Sequence, residues 1–116
     1  MKIVFTTKGN NWESPMDPRF GRAEMFLVYD DVADSFEVID NSDTESMEHG
    51  VGGQSSKKMI NAKADVVITG NGAGEKALKI LKTTGIEFYT GAGEMSVKEA
   101  YEAYKANKLQ KQLQRL

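Results

Sequence analysis

Two stretches in the second half of the chain restrict its fold more than anything else in the sequence. Each is an apolar run closed by a glycine string and followed by an amphipathic segment. In Ala64-Asp65-Val66-Val67-Ile68-Thr69 the apolar residues stand side by side rather than alternating, the pattern of a parallel strand covered on both faces. Gly70-Asn71-Gly72-Ala73-Gly74 follows, and Ala77, Leu78 and Leu81 then recur at helical spacing over 75–84, with Ile80 nearby. Gly85 ends that helix, Ile86-Glu87-Phe88-Tyr89 reads as the next strand, and Gly91-Ala92-Gly93 leads into a third helix. Ser96 with Glu99 three residues later matches a capping box, and Val97, Ala100, Tyr101 and Tyr104 lie on one stripe of a helix running to about residue 109.

The first half has a different rhythm. Lys2-Ile3-Val4-Phe5-Thr6-Thr7 is short, apolar and β-branched, and reads as a central strand. Residues 8–24 form a long polar loop with Gly9, Pro15, Pro18 and Gly21, well beyond the usual connection of about 4–6 residues, a length often associated with function. Met25 to Tyr29 is a strand, and the alternation in Ser35-Phe36-Glu37-Val38-Ile39-Asp40 marks the return arm of a hairpin with one wet face. A second polar, glycine-rich loop covers 41–53, and 54–63 reads as a helix with Met59 and Ile60 inward and Lys57 and Lys58 outward. The predicted architecture is one mixed five-stranded sheet with helices on both faces, in the order 3-2-1-4-5, with strand 2 antiparallel. Residues 1–109 form the single domain, and 110–116 a basic tail.

Composition narrows the chemistry. None of the 116 residues is cysteine, which excludes a disulfide scaffold, a thiolate nucleophile, a zinc finger and the strongest iron–sulfur ligand. No apolar run reaches the roughly 18–20 residues of a membrane span, and the apolar start is too short for a signal peptide, so the expected location is cytoplasmic. The net charge is −2, unevenly spread: residues 13–48 hold eleven acids against Arg19 and Arg22, whereas 49–116 hold eleven bases against six acids. Lys105, Lys108, Lys111 and Arg115 near the end suit the C-terminal side of a helix better than nucleic-acid binding, because the rest of the chain is not basic.

If strands 1, 4 and 5 run parallel, the loops after Thr7, Thr69 and Thr90 leave at one end of the sheet, where open α/β sheets bind ligands. Exposed amides at 70–74 ahead of a helix make an anion site there, or else the glycines serve a tight turn and close helix–sheet packing. The spacing is neither a dinucleotide fingerprint nor a P-loop. His49, among Asp43, Glu45, Met47 and Glu48, is either a metal ligand or part of a solvated loop. Arg19 and Arg22 bracket Phe20-Gly21; each either grips an anion with its fork or pairs internally with Asp17 or Glu24. Trp12 is a lid or a partner anchor. No acid–base or nucleophile spacing announces catalysis.

Several segments in order resemble the dinitrogenase iron–molybdenum cofactor biosynthesis family, which includes NifX, NifY and the C-terminal domain of NifB. They are Ser14-Pro15-Met16-Asp17-Pro18-Arg19-Phe20-Gly21-Arg22-Ala23, His49-Gly50-Val51-Gly52-Gly53, the run from Ala64 to Gly74, and residues 85–104. The resemblance covers residues 1 to about 109 and implies a ribonuclease-H-like three-layer α/β/α fold without nuclease activity. It further implies a non-enzymatic carrier of an iron–sulfur- or iron–molybdenum-type cluster or its precursor, working with cluster-assembly or cluster-acceptor proteins. Carried onto this chain, the binding positions are Arg19, Phe20, Gly21, Arg22, Gly50, Gly52, Gly53, Gly70, Asn71, Gly72, Gly74 and Gly91, with His49 as the metal ligand. Many relatives have further histidines or cysteines near His49, where this chain has Met47, Glu48 and Val51. The alternative is a binding or regulatory module for another small anion or a protein, without metal. Neither nucleic acid nor membrane is an expected partner.

Overall fold

The computed structural model describes residues 1–112. Strands β1 (Lys2–Thr7), β2 (Met25–Asp30) and β3 (Ser35–Asp40) form an antiparallel meander. They are followed by helix α1 (Val51–Asn61), strand β4 (Val66–Ile68), helix α2 (Glu75–Lys82), strand β5 (Glu87–Thr90), helix α3 (Val97–Lys105) and strand β6 (Gln110–Gln112). The sheet order is β3-β2-β1-β4-β5-β6, with β4 parallel to β1 and β5 parallel to β4. The expected five-strand order is therefore present, extended by a sixth strand antiparallel to β5. Residues 110–112, expected as tail, are that strand; the rest of the expected tail, 113–116, lies outside the described residues.

The layers follow from side-chain alternation. Val4, Phe26, Val28, Val67 and Phe88 face α1 and α2, meeting Met59, Ala77 and Leu81. Ile3, Phe5, Leu27, Tyr29, Val66 and Ile68 face α3, meeting Val97 and Ala100. Each fully buried large aliphatic or aromatic side chain contributes about 1.5–3 kcal/mol of transfer free energy. Strand β1, buried from Ile3 to Thr7, is the spine.

The sequence reading is corrected at the start of α1, in the residues that α1 buries, and at the end of α3. Helix α1 begins at Val51 rather than residue 54, taking Gly52 and Gly53 into its first turn. Its inward residues are Ser55, Ser56 and Met59, while Ile60 is 39% exposed; Ser55 Oγ donates to Gly21 O of the neighbouring loop at 2.7 Å and Ser56 Oγ to Gly52 O of its own helix at 2.6 Å. Helix α3 ends at Lys105, four residues short, as Asn107 turns the chain back with φ 57° toward β6. Its start is the expected capping box, with Ser96 and Glu99 each accepting the other's backbone amide.

Candidate functional site

The long loop after β1 is held by one buried carboxylate. Asp17 is fully buried; its Oδ1 accepts from the backbone N–H and the Nε of Arg19, both at 3.0 Å. Its Oδ2 accepts from Arg19 Nη2 at 2.9 Å and from the Glu24 amide at 3.1 Å. Burial alone would push this carboxyl up, but the Arg19 fork and the two amides outweigh it and hold the group below the ordinary carboxylate value. The backbone of Asp17 is fixed as well, donating to Thr6 O at 2.8 Å and accepting from Thr6 Oγ1 at 2.7 Å. Thr6 Oγ1 also meets Thr69 Oγ1 at 3.0 Å, tying the ends of β1 and β4 together. Of the two readings of Arg19, the internal pair with Asp17 is present, while half of the arginine side chain remains exposed.

The three loops expected at one end of the sheet touch there. The Asn71 amide donates to Pro18 O at 2.8 Å and the Gly91 amide to Gly70 O at 3.0 Å. A Cβ on Gly70 would lie 2.7 Å from Gly93 Cα and 2.8 Å from Pro18 Cα, so this crossing of backbones requires glycine. Gly72 is needed for its backbone conformation. Its φ is +89°, and a Cβ would lie 2.6 Å from Gln112 Oε1. The Gln112 carboxamide pairs with Ala73 like a strand neighbour: Oε1 accepts from the Ala73 amide at 2.8 Å and Nε2 donates to its carbonyl at 2.9 Å. Two amides of the glycine string are thus bound to protein acceptors, and the turn-and-packing reading applies to Gly70 and Gly72.

The open part of the rim lies one step further along. A shallow groove of about 590 Å³ is lined by Arg19, Gly21, Gly52, Gly74 and Lys76 among others, where the N-termini of α1 and α2 come together. Neither helix has a side-chain cap: the N-cap residues are Gly50 and Gly74. The first amides of both helices therefore lack the acceptor a serine or aspartate would supply, and both helix dipoles turn their positive ends toward this side. Gly53 and Gly74 have nothing within 4 Å of a hypothetical Cβ, so packing does not account for them.

The remaining predicted positions scatter around this groove. Phe20 lines it but places its ring in the core, 5.0 Å from Phe88 and 5.8 Å from Phe26 between centroids. Arg22 donates to Thr44 O at 2.9 Å and Met47 O at 2.7 Å, so its fork braces the 42–47 segment. Between the two arginines and that segment is a second cavity of about 460 Å³, bordered by Glu24, Asp40 and Glu45. His49 is exposed beside Gly50. Gly91, at φ +99°, sits at the end of β5 near Leu109. Sequence reading missed Lys76, whose place at the groove follows from its position in the first turn of α2, and Gln112, for which three polar residues give no periodic signal.

A resident metal cluster does not fit the donors present. There is no thiol, and among the described residues no group of three or more His, Cys, Asp and Glu side chains could hold a metal ion. Among the described residues no helix is long and apolar enough to cross a membrane.

Comparison with known proteins places the chain. The family model described as dinitrogenase iron-molybdenum cofactor matches residues 1–107. The apo form of the orange protein from Desulfovibrio gigas superposes with a TM-score of 0.90 at 27% identity, over 97% of this chain and 93% of that one. A candidate NifB protein from Thermotoga superposes with a TM-score of 0.80, also at 27% identity, over 98% of this chain and 97% of that one. No curated protein matches significantly.

Proposed function

Since the chain belongs to the dinitrogenase iron–molybdenum cofactor family, as a small non-enzymatic accessory protein of NifX-like type, we propose that it binds a small anionic ligand in the groove between α1 and α2. The observation that supports this is the meeting of two helix N-termini without side-chain caps on one groove, with open space at the Gly74 N-cap. Amides of the first turns of α1 and α2 are the main donors; the Arg19 guanidinium, whose Nε and Nη2 are taken by Asp17, offers only its remaining N–H groups, and Lys76 supplies positive charge beside Glu75 on the same groove. Gly21 lets the arginine loop pack closely on the start of α1: a Cβ there would come within 3.1 Å of Val51 Cγ1.

The family description favours a metal–sulfur cluster as the cargo. Such a cluster is itself an anion, and this groove takes it by its charge and outer sulfur atoms rather than by a protein atom bonded to metal. In this reading Gly50, Gly52, Gly53 and Gly74 matter through their backbone, His49 is a neighbour rather than an indispensable ligand, and cluster-assembly or cluster-acceptor proteins are the partners.

Amide shift mapping during titration with tetrathiomolybdate, and separately with inorganic phosphate, tests the proposal. Saturable shifts centred on 52–53 and 74–76, weakened by Arg19→Gln and unchanged by His49→Ala, are expected. Absence of saturable binding, or shifts centred elsewhere, sinks the anion groove. Thiomolybdate binding abolished by His49→Ala replaces it with metal ligation.

A further inference from the structure

The far edge of the sheet carries a surface that the anion groove does not involve. Strand β3 pairs with β2 over its whole length, from Met25↔Asp40 to Asp30↔Ser35, and among the described residues has no neighbour on its other side. The Asn41 amide donates to Glu24 O in the same register. Hydrogen-bonded pairs alternate along an antiparallel ladder, so residues 35, 37 and 39 point their backbone groups at β2. Those of Phe36, Val38 and Asp40 point outward, unpaired by any strand among the described residues.

This edge carries acidic charge as its one usual protection. It is six residues long and regular, with no proline, lysine or bulge. Phe36 is 37% and Val38 46% exposed, both on the face that α3 leaves partly open at this end. Phe36 is anchored there by Trp12 and Tyr29, with ring centroids 4.8 and 5.0 Å away. The opposite face of the strand carries Glu37, and the hairpin from 25 to 40 holds Asp30, Asp31, Asp34, Glu37 and Asp40 without a lysine or arginine.

That charge decides what can pair. A second copy of β3 would bring two such acidic hairpins together, and like charges across a ladder are destabilising. A basic strand is attracted instead. We propose that β3 accepts an extended segment of a partner protein in which apolar residues alternate with lysine or arginine. The added strand continues the ladder through the backbone groups of Phe36, Val38 and Asp40. Its apolar side chains lie beside Phe36 and Val38, and its cationic ones beside Glu37 on the other face.

Titrating the full chain with a synthetic peptide of alternating valine and lysine, against a peptide of the same composition in two blocks, tests this. The alternating peptide is expected to shift amides 35–41 and to bind roughly tenfold more tightly than the blocked one. Val38→Pro removes an outward N–H while leaving the bonds to β2 in place, and weakens binding roughly tenfold with the amide spectrum otherwise preserved. Glu37→Lys, which does not touch the backbone, weakens it as well and lowers its salt dependence. Equal binding of both peptides, or of wild type and both variants, overturns the proposal. So does a concentration-dependent dimer that Val38→Pro abolishes, because the occupant is then a second copy.

Discussion

The glycines on the two sides of the α2 loop behave in opposite ways. At Gly70 a Cβ would strike main-chain atoms of Gly93 and Pro18 at 2.7 and 2.8 Å, and at Gly93 it would press on Pro18 Cβ at 3.2 Å and Gly70 Cα at 3.3 Å. At Gly53 and Gly74, a few residues away in the fold, a side chain would meet nothing within 4 Å. The first pair is explained by folding. The second is not: glycine inside a helix costs about 0.5–1 kcal/mol relative to alanine, and at an N-cap it leaves amides without an acceptor. One string of glycines in the sequence thus contains two kinds of position, and only the second marks bare backbone open to a ligand.

Substituting the packed side produces the largest effect. Gly70→Ala must displace backbone at Gly93 and Pro18, and is expected to destabilise the protein by about 3 kcal/mol in urea unfolding. A loss under about 0.5 kcal/mol would show that the loops slide apart freely, and the contrast between the two kinds of glycine would collapse.

Next in size is Asp17→Asn, which removes charge from the group that pins the crossing loop. The loss expected is about 2 kcal/mol at neutral pH. The folded carboxyl lies below the ordinary aspartate value of 3.8, so its contribution is present above that pH. It disappears as pH falls through the lower folded value. Stability of the wild type minus that of the variant should therefore be flat near neutrality and shrink in acid. A difference that grows on acidification would mean that Asp17 carries no such depression.

Much of this contrast was hidden in the sequence for identifiable reasons. The five apolar strands, their order and the Ser96 cap were legible because burial writes period-two or continuous runs and capping writes a fixed spacing. Strand β6 was not, since Gln110, Lys111 and Gln112 contribute backbone pairing and one carboxamide contact rather than apolar area. The start of α1 was hidden by Gly52 and Gly53, which read as breakers although the first turn tolerates them. The convergence of the loops after β1, β4 and β5 followed from parallel direction alone. Which glycines are packed and which are open did not, because that depends on how Pro18 and Gln112 approach from distant parts of the chain.

On the open side, Gly53→Ala sharpens the comparison. It sits in the first turn of α1 with free space around it, so the variant should gain roughly 0.5–1 kcal/mol in stability while binding thiomolybdate more weakly. Calorimetric unfolding and the amide titration, run on the same samples, check both signs. A variant that is more stable and binds equally well would leave Gly53 without a ligand role.

The smallest change in stability is expected at Gly74, and it is the most discriminating. Its φ of −69° and ψ of 166° are the extended N-cap geometry that serine adopts without strain. The same chain caps α3 with Ser96, so an uncapped α2 is not a general habit of this sequence. In Gly74→Ser the new hydroxyl would accept from the amide of Lys76 or Ala77 and gain a few tenths of a kcal/mol over glycine. That hydroxyl takes the place the proposed anion needs. Stability and affinity must therefore move in opposite directions: a slightly raised unfolding midpoint, and weaker binding of both phosphate and thiomolybdate. If affinity is unchanged while the midpoint rises, the amides of α2 are not what the ligand touches, and the binding role passes to the arginine side of the groove.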